Sequence, residues 1–555
     1  MGLSRPWFGS WPKTLAREVG VEPRPLYRLL EDSAARSPDR TCLIFQGRSL
    51  TYRQVDDLAS RFASGLISLG LQRGDRVALF MPNMPQFVMA YFGTLKAGGI
   101  VVPCSPLYKE KELEYQIRDS GAAFVVAVND VVGGIDYFTS VERCRGDLTL
   151  RSVIAASVTD YIPAFKRPLA GFAGVKNVQR RDTVRFTELV NRSQPLKQSA
   201  AVDPLKDIAL LQYTGGTTGV SKGAMLSHAN LFFNAYQTAA ALPLRESDVS
   251  LAVLPFFHIY GMTTTMTAPF SVGCAVVVLS RFEVGPVIKA IQREKVTSFC
   301  GVPTMYIAVI NHPKVTKFNL RSVRSCISGG APLPVAVRKR FIELTGSALV
   351  EGYGLTEASP VTHVNPIGEG CVVKDGSIGI PVQSTDSAIV RMDDPSKFLG
   401  VGEVGELAVS GPQVMLGYWN RKEETDLVLR EGWLLTGDIA KMDEQGYFFI
   451  VDRKKDMIDV GGFKVWPREV EEVLFTHPAI KEAAVVGAPD EYRGEAVKAY
   501  VVLKPESKGS VSEKDLIDFC RKRIATFKAP RSVVFVDDLP KSLVGKVVRR
   551  KLREG

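Results

Sequence analysis

The apolar residues of this 555-residue chain form short runs separated by longer stretches with helical periodicity. Four of the runs have the length and β-branched content of buried strands, namely Arg76–Phe80, Gly99–Val102, Phe124–Val128 and Ala275–Leu279. The segment Gln54–Leu69 is predicted to be a core-facing helix. Its apolar positions are Leu58, Phe62, Leu66 and Leu69. Strands that alternate with amphipathic helices indicate an α/β protein with mostly parallel sheets.

The domain organisation is predicted from a change in composition late in the chain. Glycines and short alternating strands over Gly402–Gly417 and Gly432–Gly446 indicate a small β-barrel. A charged hinge near Asp452 follows, and then an α/β module of acceptable domain size. The predicted fold is therefore α/β. A large N-terminal domain, 1–451, has layered α/β subdomains and the barrel, and a smaller mobile domain covers 452–555.

Composition narrows the function classes. A net charge of +11, from 70 basic and 59 acidic residues, favours an anionic ligand or surface. Charges of both signs are interspersed, which argues against dedicated nucleic-acid binding. The eight cysteines stand singly with no C-x-x-C spacing, as expected for reduced core residues of a cytoplasmic protein. No apolar stretch approaches the roughly 18 residues of a spanning helix, so neither export nor membrane spanning is expected.

A glycine- and hydroxyl-rich loop follows the apolar run Ile208–Leu211 and predicts a phosphate site. Its glycines let consecutive N–H groups converge on phosphate oxygens, and its hydroxyls add donors. The residues concerned are Thr214, Gly215, Gly216, Thr217, Thr218, Gly219 and Ser221. Lys222 adds a mobile positive charge. It follows Ser221 and precedes Gly223, so the loop is not a Walker loop. The alternative is a flexible surface turn.

Three further segments carry candidate site residues. In Glu351–Glu357, Tyr353 is suited to stacking on a base and Glu357 to holding Mg²⁺, although a tight turn with a capping glutamate explains this segment equally well. Asp438 follows a glycine turn and is suited to accepting hydrogen bonds from ribose hydroxyls, while Arg453 stands at the hinge. Lys546 lies beyond a C-terminal glycine turn, where a solvated tail residue is the simpler interpretation.

Taken in this order, the segments resemble the adenylate-forming superfamily of acyl-CoA synthetases, luciferases and peptide-synthetase adenylation domains. The resemblance spans nearly the whole chain. It is strongest to the bacterial long-chain fatty-acid–CoA ligases. The matching segments are 213–228, Pro255–Gly261, Glu351–Glu357, Trp433–Asp438, Asp452–Ile458, Pro467–Glu471 and Pro540–Lys546.

The resemblance implies a two-step reaction that uses ATP, Mg²⁺ and coenzyme A. A fatty carboxylate attacks the α-phosphorus of ATP to give acyl-AMP and pyrophosphate, and the thiol of coenzyme A then displaces AMP. By resemblance, Lys546 acts catalytically in the first step by bridging the carboxylate and the α-phosphate. Thr214 and Glu357 serve Mg²⁺ and the catalytic site. The implied nucleotide and cofactor residues are Thr214, Gly215, Gly216, Thr217, Thr218, Gly219, Lys222, Gly330, Ala331, Glu351, Gly352, Tyr353, Gly354, Thr356, Asp438 and Arg453.

The resemblance also implies an acyl pocket. Its expected residues are Phe257, His258, Tyr260, Gly261, Val302, Gly329 and Gly330. The glycines would leave room for an alkyl chain, although an ordinary core explains the same positions. His258 is expected to be a pocket wall and not a general base, because an ionised carboxylate needs no proton removal. Met262 stands where some long-chain relatives carry a gating tryptophan.

In the family, the C-terminal domain rotates about the position of Asp452 between the two steps. The rotation withdraws the lysine and brings a glycine loop to the site for thioester formation. By resemblance, this loop contains Gly461, Gly462 and Lys464, and its glycines let pantetheine pass close to the backbone.

Several partners and alternatives follow from these expectations. Residues 159–181 mix aromatic and basic side chains, and either contact an anionic membrane or form a solvated excursion. A homodimer is expected by analogy. The alternative functions are a medium-chain or aryl acid–CoA ligase, and an acyl-AMP ligase that loads a carrier protein. From another class, the alternative is a basic membrane-surface or nucleic-acid-binding protein with a degenerate site.

Overall fold

The computed structural model describes residues 4–132, 135–146, 150–167, 175–178, 180–214, 221–461, 463–490, 493–541 and 547–553. The chain divides into two compact units. The larger unit comprises Ser10–Asp386 and Ser410–Leu434, and the smaller unit comprises Met1–Gly9, Ser387–Val409 and Leu435–Gly555. The predicted boundary at Asp452 falls inside the smaller unit and remains a prediction.

An eight-stranded sheet forms the centre of the larger unit. In spatial order its strands are Val184–Arg185, Ser152–Ala156, Ala122–Val128, Arg76–Phe80, Ile100–Cys104, Ile208–Thr214, Lys222–Ser227 and Gly417–Tyr418. The first six are parallel, and the last two add antiparallel ladders. The apolar runs predicted the parallel strands because both faces of a parallel sheet are covered by other elements, so most residues of such a strand are apolar.

Three smaller sheets complete the larger unit. One contains Val249–Ala252, Ala275–Val278, Thr41–Phe45 and Arg48–Thr51. A second contains Ser325–Ser328, Ala348–Gly354, Val361–Val364 and Ile380–Pro381. The third contains Ile135–Asp136, Asp130–Val132 and Val175–Asn177. In the second sheet, the strand Ala348–Gly354 carries Tyr353, and Glu357 follows the end of that strand by three residues.

The predicted amphipathic helix is confirmed as Tyr52–Ser68, which begins with a capping box at Thr51. Phe62 and Leu66 are buried, and Leu58 and Leu69 pack against the same core. The other helices of the larger unit are Arg28–Arg36, Pro85–Lys96, Glu110–Ser120, Thr139–Arg145, Phe186–Arg192, His228–Ala241, Ile259–Met262, Ala268–Val272, Val284–Glu294, Pro303–Ile310, Val335–Thr345 and Lys422–Val428. A π-helical turn, Thr263–Thr267, joins two of them.

Most of a five-stranded sheet and all of another lie in the smaller unit. The first contains Asp386–Val390, Gly405–Ser410, Trp433–Met442, Leu429–Arg430 and Phe448–Arg453, and corresponds to the predicted glycine-rich β region. The second contains Phe463–Val465, Ile458–Val460, Gly494–Leu503, Ile480–Asp490 and Ser532–Phe535. The helices described in the smaller unit are Pro467–Phe475, Glu513–Arg521 and Arg549–Arg553. The fold is the predicted α/β fold with a large N-terminal and a smaller C-terminal domain.

Two further findings bear on the sequence expectations. The eight cysteines, which all lie in the described part of the chain, form no disulfides; Cys371 is partly exposed and the other seven are buried. Among the described residues, no helix is both long enough and apolar enough to cross a membrane.

Candidate active site

The predicted phosphate loop is anchored at both ends by an antiparallel ladder. Thr214 ends the strand Ile208–Thr214, and Lys222 lies opposite it at the start of the returning strand. The hydroxyl of Ser221 donates to the carbonyl of Thr214 at 2.5 Å, which closes the base of the loop. The residues between, Gly215, Gly216, Thr217, Thr218 and Gly219, lie outside the described residues. The ladder therefore fixes where the loop starts and ends.

The ammonium group of Lys222 lies between a carboxylate and an aromatic ring. It forms an ion pair with Glu424, and only 15% of the Lys222 side chain is exposed. It also lies 5.2 Å from the ring centroid of Tyr418, within reach of a cation–π interaction. Lys222 is thus held at the end of the loop as a positioned charge.

The same tyrosine positions Glu357, the predicted metal residue. The hydroxyl of Tyr418 donates to Glu357 Oε1 at 2.7 Å. Burial, together with the neighbouring Glu357 carboxylate, raises the pKa of Tyr418, so its hydroxyl remains a donor. The backbone N–H of Met415 donates to the carbonyl of Glu357 at 2.8 Å. The Lys222–Ser227 strand lies against the 3₁₀ turn Thr356–Ala358 that carries Glu357.

The donor set near Thr214 and Glu357 fits magnesium. Carboxylate and hydroxyl oxygens are the hard ligands that Mg²⁺ prefers, and it commonly uses one or two carboxylates together with phosphate and water. No group of three or more His, Cys, Asp or Glu residues that could hold a metal occurs in the part of the chain that the structure describes. The two predicted residues, Thr214 and Glu357, supply oxygen donors of this kind.

The predicted adenine wall is a tightly packed edge of the strand Ala348–Gly354. Tyr353 lies opposite His363, with ring centroids 6.0 Å apart in an edge-on arrangement. A Cβ atom at Gly354 would lie 2.1 Å from the carbonyl oxygen of Pro360, and one at Gly352 would lie 2.8 Å from Ile327 Cγ2. Both glycines around Tyr353 are therefore required by packing.

Glu351 supports the neighbouring turn, which contains Gly330 and Ala331. Its buried carboxylate accepts the backbone N–H of Leu333 at 3.2 Å. Gly330 is exposed and has a φ of +79°, a conformation that favours glycine. Ala331 is partly buried, and Thr356 opens the turn that carries Glu357. Glu351 therefore ties the turn that contains Gly330 and Ala331 to the strand that carries Tyr353.

The predicted ribose pair lies in the smaller unit. Asp438 and Arg453 are opposite each other on neighbouring antiparallel strands. Their side chains are joined by an ion pair with a distance of 3.4 Å between Arg453 Nε and Asp438 Oδ1. Asp438 is buried, and Gly437 before it has a φ of +73°. The two residues assigned to the ribose by resemblance are therefore neighbours in the structure, and their binding role remains a prediction.

The predicted acyl residues meet around Tyr260, whose hydroxyl donates to the carbonyl of Ile327 at 2.8 Å. A Cβ atom at Gly329 would lie 3.0 Å from the Tyr260 ring, and one at Gly261 would lie 2.3 Å from the carbonyl oxygen of Pro255. Protein atoms therefore fill the space beside these two glycines. A Cβ atom at Gly330 would meet only Val302, at 3.5 Å.

His258 and Phe257 have structural contacts at the start of the acyl helix. The ring Nδ1 of His258 accepts the backbone N–H of Tyr260 at 3.2 Å and caps the helix Ile259–Met262. The side chain of Gln212 donates to the carbonyl of Phe257 at 3.0 Å. The cap supports the interpretation of His258 as a wall.

Hydrogen bonds connect the acyl region to the phosphate region within the larger unit. Gln212, which bonds to Phe257, precedes Thr214 by two residues on the same strand. The hydroxyl of Thr263, in the π-helical turn, donates to the carbonyl of Ser359, two residues after Glu357. Such turns are frequent at functional sites. Each of these hydrogen bonds involves a residue two positions from a predicted metal residue, Thr214 or Glu357.

The predicted coenzyme A loop is the turn of a hairpin in the smaller unit. Gly461 has a φ of +62°, and its N–H donates to the carbonyl of Arg493 at 2.8 Å. Lys464 forms an exposed ion pair with Asp459 at 2.7 Å. Gly462 lies outside the described residues, as does Lys546.

The sequence analysis missed Tyr418 and Glu424. Their signal is the segment Gly417–Trp419 followed by acidic residues, which contains no phosphate-type motif. Only the pairing of Tyr418 with Ala224 in the eight-stranded sheet brings this segment to Lys222. An interaction across nearly 200 residues has no local pattern from which it can be predicted.

Comparisons with known proteins cover nearly the whole chain. The model of the AMP-binding enzyme family matches residues 30–419, and that of the AMP-binding enzyme C-terminal domain matches residues 469–546. A protein of Bacillus subtilis (strain 168) named long-chain-fatty-acid–CoA ligase is 43% identical over 564 residues, covering 100% of this chain and 98% of its own. A protein of the same name from Escherichia coli O157:H7 is 38% identical over 565 residues, with the same coverage. The crystal structure of ATP-bound MatB from Rhodopseudomonas palustris has a TM-score of 0.84 and 29% identity, covering 96% of this chain and 98% of that chain.

Proposed function

The chain belongs to the AMP-binding enzyme family, and on this premise we propose that it is a long-chain fatty-acid–CoA ligase. It converts a fatty acid, ATP and coenzyme A into acyl-CoA, AMP and pyrophosphate through an acyl-adenylate. The observation that carries this proposal is full-length similarity to two bacterial proteins of that name. Similarity confined to the nucleotide-binding residues would support adenylation but would not identify the acid that is adenylated.

The first step requires that the negative charges of the fatty carboxylate and ATP be neutralised and that the two molecules be aligned. It requires no protein nucleophile. A carboxylate oxygen of the fatty acid forms a bond to the α-phosphorus, and the bond from that phosphorus to pyrophosphate breaks. Lys222 and the backbone N–H groups of the loop hold the β- and γ-phosphates, and Lys546 brings the two anions together. Glu357 and Thr214 would hold Mg²⁺, whose charge offsets that of the phosphates. Fixed charges and dipoles of this kind lower the barrier because they are oriented before the reaction.

The nucleoside contacts of this proposal follow the family resemblance. Tyr353, Gly330 and Ala331 enclose the adenine ring, and Asp438 and Arg453 bind the ribose. The packing of Gly352 and Gly354 supports this role because it fixes the strand that carries Tyr353. The buried, ion-paired carboxylate of Asp438 is a strong hydrogen-bond acceptor for hydroxyl groups.

The second step forms the thioester. The thiolate sulfur of coenzyme A attacks the acyl carbonyl carbon, and the bond from that carbon to the AMP oxygen breaks. We assign Gly461, Gly462 and Lys464 to pantetheine contact, and propose that the C-terminal domain, 452–555, rotates about Asp452 to bring them to the site. The exposed position of the Gly461 hairpin supports this assignment.

The test is AMP release that depends on ATP and coenzyme A, measured across carboxylic acids from acetate to oleate with aryl acids included. We expect the highest kcat/KM with long chains. A maximum at short or aryl acids would retain adenylation and overturn the acyl assignment. Product analysis without coenzyme A, and with a carrier protein in its place, separates the ligase from a carrier-loading enzyme.

A medium-chain or aryl acid–CoA ligase is the second candidate, because of the filled space in the acyl region. The Tyr260 ring occupies the space beside Gly329, and backbone occupies the space beside Gly261. The glycines at these two positions therefore accommodate protein atoms and do not themselves provide room for an alkyl chain. The same substrate series decides between the two candidates.

We also propose that the enzyme is cytoplasmic and contacts the inner face of an anionic membrane. Phe165 is 76% exposed, and Lys166 and Arg167 follow it directly in the chain. Residues 168–174 and 179 of the predicted segment lie outside the described residues. Flotation with anionic liposomes tests this contact, with Phe165→Ser as the variant and Leu205→Ser, at another exposed apolar site, as the control. Failure of the wild type to float removes the proposal.

A further inference from the structure

Lys222, at the end of the predicted phosphate loop, contacts a carboxylate in this structure. Its Nζ forms an ion pair with Glu424 Oε2, and the two side chains are 15% and 34% exposed. The other carboxylate oxygen of Glu424 lies 3.8 Å from Nε of Arg421. Glu424 therefore contacts the same ammonium group that the proposed function assigns to the polyphosphate.

The contact is fixed by backbone interactions. The segment that precedes Glu424 pairs with the strand of Lys222, and the N–H of Trp419 donates to the carbonyl of Gly223 at 2.8 Å. The hydroxyl of Thr425 accepts the N–H of Tyr418 at 2.9 Å and donates to the carbonyl of Arg421 at 2.8 Å. The sheet thus holds Lys222, and the helix Lys422–Val428, which carries Glu424, is tied to the last strand of that sheet through Thr425.

We propose that Glu424 competes with the polyphosphate of ATP for Lys222, and so limits ATP affinity and promotes pyrophosphate release. The inference rests on the proposed function, which places the β- and γ-phosphates at Lys222. An ammonium group has three donors and can contact both anions, but a polyphosphate next to Glu424 experiences like-charge repulsion. A ligase must release pyrophosphate in every cycle, so very tight binding at Lys222 would slow it.

The experiment measures binding to the full-length Glu424→Gln variant by calorimetry. The probes are MgATP, inorganic pyrophosphate and AMP, at low and at high salt. Removing one negative charge beside the phosphates should tighten the binding of MgATP and pyrophosphate by about three- to tenfold at low salt, and by less at high salt. AMP lacks the β- and γ-phosphates, so its Kd should remain unchanged.

A matched control is available on the same helix. Glu423→Gln makes the same change in net charge one residue earlier, at an exposed position. It should leave all three Kd values unchanged. In a Lys222→Met background, Glu424→Gln should have a much smaller effect, because the group for which the anions compete is absent.

The outcomes separate the inference from the function on which it rests. If the wild type binds no MgATP, the proposed function fails and the inference fails with it. If the wild type binds MgATP and Glu424→Gln binds it no more tightly than Glu423→Gln, Glu424 merely orients Lys222 and only the inference is overturned. Tighter binding of MgATP and pyrophosphate without a change for AMP supports it, since a purely structural role predicts a loss.

Discussion

At the scale of single residues, several glycines of the site have a role that the sequence analysis did not assign. The segment Glu351–Glu357 was interpreted through Tyr353 and Glu357. In the structure, neighbouring groups pack so closely against Gly352 and Gly354 that any side chain at either position would collide with them. In the same way, backbone packs closely against Gly261, and the Tyr260 ring packs closely against Gly329. A glycine in a motif therefore marks either ligand approach or close packing, and only the surroundings distinguish the two.

Gly354→Ala is expected to destabilise the larger unit by about 3 kcal/mol, because the new Cβ must push backbone away in a packed core. That Cβ would lie 2.1 Å from the Pro360 oxygen. Urea unfolding measures the loss. Gly285→Ala is the control, because its Cβ would meet nothing within 4 Å and it lies in the helix Val284–Glu294. Equal effects of the two changes would show that the collision relaxes without cost.

Two buried histidines predict how the stability of the larger unit depends on pH. Burial lowers the pKa of His228 to about 4 and that of His363 to about 3. An unfolded histidine titrates near pH 6.5, so at lower pH the unfolded chain binds more protons than the folded one. Their contribution is complete above about pH 6.5 and is lost as the pH falls towards the folded values. Each buried histidine should lower the free energy of unfolding by up to about 2 kcal/mol at pH 5 relative to pH 7.

His228→Asn tests this dependence, because an amide oxygen can accept the Leu26 N–H that Nδ1 now accepts at 3.1 Å. The loss in urea midpoint between pH 7 and pH 5 should become smaller. His312→Asn, at a partly exposed site of the same unit, controls for the substitution. An unchanged pH dependence in His228→Asn would contradict the assignment.

At the scale of elements, the strands and the long helix were predictable because their signal is local and periodic. The short C-terminal helix Arg549–Arg553 is different. Five residues do not form a stable helix alone, so this element depends on tertiary contacts. Arg549 donates to Glu471 at 2.7 and 2.9 Å and lies 3.2 Å from both Asp452 and Asp456.

Arg549→Met is expected to destabilise the smaller unit by about 3 kcal/mol, because three buried carboxylates lose their common partner. Hydrogen exchange of the strand Gly494–Leu503 and urea unfolding measure the effect. Arg521→Met is the control, because its ion pair with Asp518 spans 3.7 Å and its side chain is 53% exposed. An exposed pair contributes about 0.5 kcal/mol. Similar losses in both variants would contradict a special role for the buried cluster.

At the scale of the whole molecule, the two-step reaction predicts a separation of functions between residues. Lys546→Ala should lower acyl-AMP formation by about 10²- to 10³-fold, since it removes a positioned charge at the reacting anions. Thioester formation from supplied acyl-AMP should be nearly unchanged. Rapid-mixing assays of each half-reaction measure the two rates.

Lys551→Ala is the control for Lys546→Ala, because it removes an exposed lysine near the same end of the chain. It should leave both steps unchanged. A change at Gly462 should show the reverse pattern, with thioester formation lost and adenylation retained. Equal loss of both steps in the Lys546 and Gly462 variants would argue against a molecule that alternates between two arrangements.

The sequence by itself determined the fold class and the family, and it predicted the phosphate loop. Strand and helix periodicity, and side-chain types at fixed spacing, are properties of neighbouring residues. It also named Asp438 and Arg453, which the structure joins in one ion pair. It did not identify Tyr418 or Glu424, which reach Lys222 and Glu357 only through the pairing of strands far apart in the chain. Tertiary structure decided these contacts, because only folding sets which charges face each other and which glycines have neighbours where a side chain would be.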